Sequence, residues 1–218
     1  MGLTVHWGLE FEGTDQEAFE KLQALGTLAE KLPLAKIEGP AELDYADFQK
    51  AYERGKRYEG WKHWACIQGG FCDGKRIEKA FCLHLWPGEG SEPMNIGLRR
   101  LDNSENWDWH SFCKTQYAEE FVKCHLLVIR ILDECRRLGI LKRVSDEGDY
   151  WETRDLSKLA ENINEYTDLI QELFGTLSQT FGKENVEAPI TRKAAHVTKL
   201  EIDAVEKLHH PLPPDSKN

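Results

Sequence analysis

Leu3, Val5, Trp7, Leu9 and Phe11 alternate with Thr4, His6, Gly8, Glu10 and Glu12. Strict alternation fits a β-strand with one buried face, not an amphipathic helix, whose apolar residues recur every three or four positions. Gly13 ends the run, and Thr14 stands before Glu17 at the spacing of a capping box. Ala18, Leu22, Leu25, Ala29 and Leu32 then follow at helical spacing until Pro33 stops them. The chain is therefore expected to open with a strand, a helix over 14–32 and a short second strand at 34–37.

Tyr45, Phe48, Ala51 and Tyr52 form a stripe for a short helix ending at Gly55. Asp73-Gly74 is a favoured hairpin turn, so 64–72 and 76–86 are read as two paired arms. Met94, Ile96 and Leu98 alternate as a further strand over 94–101. The longest helix is expected over 112–138, where Phe121, Cys124, Val128, Ile131 and Cys135 keep the spacing and Val122, Leu126, Ile129 and Leu132 widen the stripe. A helix apolar on most sides is buried on most sides. A strand at 140–144 and an amphipathic helix at 154–181 (Leu156, Leu159, Ile163, Tyr166, Ile170) complete the pattern.

These elements predict an α+β fold: a two-layer domain over 1–182 with a mainly antiparallel sheet of about five strands and three main helices mostly on one face. Residues 183–218 read as a polar tail, with a short helix at 190–208 and a disordered end.

A formal charge of −10 weighs against nucleic acid and anionic membranes as partners, since both call for a basic surface. The apolar run at 126–132 is broken by Arg130 and is too short for a bilayer. No secretory leader is visible and no two cysteines form a C-x-x-C pair, which predicts a cytoplasmic protein with free thiols. Phosphate-binding loops, nucleophile elbows and zinc-protease signatures are missing from the sequence. His196-Val197-Thr198 is a solitary His-x-Thr. No cofactor is indicated.

Three groups of residues could carry chemistry. The hairpin register would put His63 opposite His84 with Cys82 beside them, a weak metal candidate. Trp107, Trp109, His110, Gln116 and Tyr117 form an aromatic and polar segment, 107–117. Asp146, Glu147, Tyr150, Trp151 and Glu152 lie in an acidic strand-to-helix loop, 145–155. Cys113 is the least implausible nucleophile if it sits at a helix N-terminus.

Two functional readings follow. The first is a binding or regulatory protein of immunity or inhibitor type. It engages a protein partner or a second copy of itself, with Trp107, Trp109, Tyr117, Tyr150 and Trp151 as interface anchors. The second is a hydrolase or small-molecule-binding enzyme. Its pocket would join 107–117 to 145–155, with His110, Asp146 and Glu147 as catalytic candidates and a divalent metal as an option. Convergence of His110 with Asp146 or Glu147 separates the two.

Overall fold

The structure, a computed structural model, describes residues 3–69, 76–102 and 104–181. The elements run β1 (Thr4–Glu12), α1 (Asp15–Ala29), β2 (Lys36–Glu42), α2 (Tyr45–Glu53), α3 (Lys62–Gln68), β3 (Ile77–Trp86), β4 (Met94–Leu101), β5 (Asn106–Lys114), α4 (Phe121–Arg137), β6 (Leu141–Asp146), α5 (Tyr150–Thr153) and α6 (Leu156–Phe181). The fold is α+β, with a sheet of six strands rather than five in the order β2-β3-β4-β5-β1-β6. Every neighbouring pair in it is antiparallel.

The alternation at the N-terminus makes β1 an interior strand, flanked by β5 and β6. Leu3, Val5, Trp7 and Leu9 are buried, whereas His6 and Glu10 are exposed. The capping box forms: the Glu17 N–H donates to Thr14 Oγ1, and Glu17 Oε2 accepts from the Thr14 N–H. Such a cap is worth roughly 1 kcal/mol. In α4 the near-encircling apolar stripe is buried on almost every side, from Phe121 through Cys135. Leu159, Ala160 and Ile163 anchor the first half of α6, and Leu169 is half exposed.

Two residues of β3, Phe81 and His84, an odd number of positions apart, show where the helices lie. Phe81 meets Phe19 of α1 edge to face at 5.2 Å. His84 instead stacks on Trp61, just before α3, at 5.3 Å. Odd and even positions of a strand point to opposite faces. So α1, with α4 beside it, covers one face of the sheet, and α2 and α3 cover the other face over β2, β3 and β4. On the outward face of β5, β1 and β6 the only helical contact among the described residues is the C-terminal end of α3 against β5.

Two expectations are corrected. The described part of the expected first hairpin arm, 64–69 of 64–72, is not a strand: residues 62–68 form α3, and both edges of β3 are taken by β2 and β4. A short apolar run does not tell strand from helix by its period. The long helix begins at Phe121, not at 112, and 106–114 is β5. There Trp107, Trp109, Ser111 and Cys113 are buried at alternate positions. The Asp73-Gly74 turn and the tail at 183–218, with its helix at 190–208, lie outside the described residues.

Candidate functional site

An open cleft of about 320 Å³ lies on the half-sheet that the described helices leave largely uncovered. The register across β1 builds it in rows. His6 sits between Phe112 of β5 and Ser145 of β6, and Gly8 sits between His110 and Arg143. Gln68, the last residue of α3, closes one side. Gly8 is the floor. A Cβ there would lie 2.9 Å from His110 Nδ1 and 3.1 Å from Arg143 Cγ, so the two side chains close over the strand only because it carries none.

The cleft lies beside a split in the sheet. Paired positions between β4 and β5 are Arg99↔Asp108 and Arg100↔Trp107. Farther along, Trp109 Nε1 donates to the Asn95 carbonyl of β4 at 2.9 Å, and its ring lies against Gly97. Gln68 Oε1 then bridges the strands, accepting from Asn95 Nδ2 and from Ser111 Oγ.

Charges on this face are largely matched. Lys142 pairs with Glu10 at 2.6 Å, and Arg99 with Asp108 at 2.8 Å. Arg143 is exposed and has no hydrogen-bond or ion-pair partner among the described residues. Burial lowers the pKa of His110, Asp108 pulls it up, and Arg143, Arg99 and Lys142 push it further down. Phe112 is 38 % exposed, and its ring lies 5.8 Å from the His6 imidazole.

Segments 107–117 and 145–155 do meet here, on the two edges of β1, but through His110, Ser111, Phe112 and Ser145. His110 and the carboxylates do not converge. Ser145 faces the cleft, so Asp146, its strand neighbour, faces α4. There Asp146 Oδ2 lies 3.1 Å from His125 Nε2, and Thr115 Oγ1 lies 3.1 Å from His125 Nδ1. All three residues are buried. This chain resembles the ordering of a hydrolytic triad, but it has no solvent-exposed member. Glu147 Oε2 accepts from the Thr4 N–H.

The aromatic residues expected at the rim are inside. Trp107 is fully buried, stacked on Phe81 at 5.5 Å, with Nε1 donating to the Gly13 carbonyl. Trp109 is fully buried in the split, and Tyr150 is 1 % exposed. Trp151 lies between the guanidiniums of Arg136 and Arg154, 4.2 and 4.7 Å from its ring. Arg154 is itself held by Asp133 through two bonds of 2.7 Å. These indoles complete the core because their N–H groups find carbonyls or their faces find cations. Tyr117 does reach solvent, and Glu152 is exposed with its pKa raised by partial burial. Gln116 is buried, and both polar atoms of its amide lack partners among the described residues.

The metal candidates are separated. His63 Nδ1 accepts from the Tyr58 N–H, and His84 Nδ1 bonds Asn95 Oδ1 at 2.8 Å. Cys82 is fully buried. Among the described residues no group of His, Cys, Asp and Glu gathers as a metal site. Cys113 lies in β5 rather than at the N-terminus of α4, and burial pushes its thiol well up. Burial also pushes the Cys66 thiol up to about 12 and the Cys124 thiol up to about 11. Thiols so held are poor nucleophiles.

The sequence gives no functional role to His6, Gly8, Gln68 or Arg143, and Ser145 enters only as the first residue of the 145–155 loop. For His6 and Gly8 the signal is the outward half of the β1 alternation, which marks a face but not its neighbours; Gln68 and Arg143 carry none. No helix of the described residues is long and apolar enough to cross a membrane. Compared with protein-family models, with curated proteins and with solved structures, the chain finds no match in any of the three.

Proposed function

We propose that this chain is a binding protein of the immunity or inhibitor type, and that its protein partner docks on the uncovered face of β5, β1 and β6. The observation that carries this reading is the Gly8-floored cleft. It lies on an exposed half-sheet and is lined by an unmatched Arg143, two histidines and a half-exposed Phe112. An unmatched cation beside an exposed aromatic is typical of an interface anchor, and it calls for a partner that presents negative charge there. The hydrolase reading loses its catalytic group, because Asp146 is committed to His125 and Glu147 to the Thr4 backbone. The five cysteines among the described residues are free and buried, which fits a reducing compartment and supports a cytoplasmic location.

The test is site-specific photo-crosslinking in cells, with the reactive group at Phe112 and, as a control, at Gln23 on the solvent side of α1. The reading expects a discrete protein adduct from 112 that is lost on Arg143→Glu and is not formed from 23. Adducts of equal yield from both positions, or none from 112, contradict it. An adduct with the chain itself identifies the partner as a second copy.

A further inference from the structure

Resting on the partner-binding reading, we infer that the cleft is a carboxylate site: it receives an aspartate or glutamate side chain of the partner, with the Arg143 guanidinium as the anchor.

Several observations converge on this. Arg143 has no hydrogen-bond or ion-pair partner among the described residues, while neighbouring Lys142 and Arg99 each hold a carboxylate. A guanidinium presents a planar fork of donors that fits a carboxylate in two parallel hydrogen bonds. Because Gly8 has no side chain, His110 and Arg143 come together above β1 on one wall of the cleft. The groups around the cleft are the His6 and His110 imidazoles and the Ser145 hydroxyl, all able to donate. The nearby acids Glu10 and Asp108 are already paired, so neither fills the position from within. The Phe112 ring supplies an apolar wall for the methylene groups of an entering acidic side chain.

The net charge of −10 does not oppose this. At physiological salt the Debye length is about 8 Å, so a group inside the cleft feels mainly its local cations. Binding is also linked to protons. The charged groups around His110 are Asp108, Arg143, Arg99 and Lys142, and their sum with burial holds it below its ordinary pKa. His6 meets Phe112 and Ser145. A carboxylate placed beside the His110 ring raises its pKa, so affinity increases as pH falls towards the ordinary imidazole value of about 6.5.

The experiment is an amide NMR titration of the full chain with three probes. These are a ten-residue peptide of alternating Glu and Ala, its Gln and Ala counterpart, and inorganic phosphate. The proposal expects saturable shifts at His6, Gly8, His110, Arg143 and Ser145 with the Glu peptide alone. It expects binding about 10-fold weaker or worse in Arg143→Gln and partial recovery in Arg143→Lys. Arg143 is exposed, so both variants keep the wild-type melting curve. Equal shifts with the Gln peptide, no shift in the cleft, or tighter binding of phosphate than of the Glu peptide overturns the proposal. None of these bears on whether wild-type chain forms an adduct from Phe112 and not from Gln23, which detects a partner whatever group it presents.

Discussion

His125 Nε2 lies 3.1 Å from Asp146 Oδ2, and neither side chain is reached by solvent. A carboxylate can only accept, so the Nε2–H donates to it, while Nδ1 meets the Thr115 hydroxyl. Asp146 also accepts from the N–H groups of Gly148 and Trp151. One carboxylate thus ties the end of β6 to α4 and to the turn that starts α5. Removing one partner from such a buried pair leaves the other uncompensated. His125→Ala is expected to cost about 3–5 kcal/mol and Asp146→Asn about 2 kcal/mol or more in urea unfolding. A loss below about 1 kcal/mol for both would remove the network from the account of stability.

The same carboxylate sets an acid limit. Burial pushes the Asp146 pKa up, but the His125 ring and the N–H groups of Trp151 and Gly148 outweigh it and leave the group below its ordinary value. Its stabilisation is therefore complete above the unfolded value of about 3.9 and is lost as pH falls through the lower folded value. Unfolding free energy measured from pH 7 down to 2 should fall less steeply for Asp146→Asn than for wild type in the acid range. Parallel curves would contradict this.

Gly97 is where Trp109 lies on β4, and a Cβ added there would come within 2.7 Å of the indole. The ring is fully buried and its N–H is committed to Asn95, so it has little room to move. Gly97→Ala is expected to destabilise by about 1–3 kcal/mol through overpacking, read from the denaturation midpoint. A neutral result would mean that the split between β4 and β5 yields easily.

What the sequence made legible was local. The β1 alternation, the Thr14 cap and the apolar surround of α4 each depend on spacing within a few turns of chain, and each stands in the structure. Residues 64–72 misled because Trp64, Cys66 and Ile67 are too few to set a period, and the tempting Asp73-Gly74 turn decided between strand and helix. The aromatic segments misled for another reason. Whether Trp107 or Trp151 meets solvent depends on Phe81, Gly13, Arg136 and Arg154, partners distant in sequence that composition does not reveal. The cleft was hidden in the same way, since Gly8 gains its meaning only when His110 and Arg143 are brought to its two sides.

Arg143 is exposed, so Arg143→Glu is expected to change stability by less than about 0.5 kcal/mol. Phe112 is 38 % exposed, so Phe112→Asp loses the rest of its apolar burial and is expected to cost about 1–3 kcal/mol without unfolding the chain. Thermal melts of the purified variants check this. A loss in Arg143→Glu as large as that in Phe112→Asp would mean that Arg143 is covered in the free protein.

The central claim is that a protein partner docks on β5, β1 and β6. Its most direct measurement is the dissociation constant of the crosslinked partner for wild type, Phe112→Asp and the α1 variant Gln23→Lys, by titration calorimetry. The account predicts a loss of about 30-fold or more for Phe112→Asp, the scale of an interface hot spot, and none for Gln23→Lys. Unchanged affinity in Phe112→Asp, or an equal loss in Gln23→Lys, would contradict it.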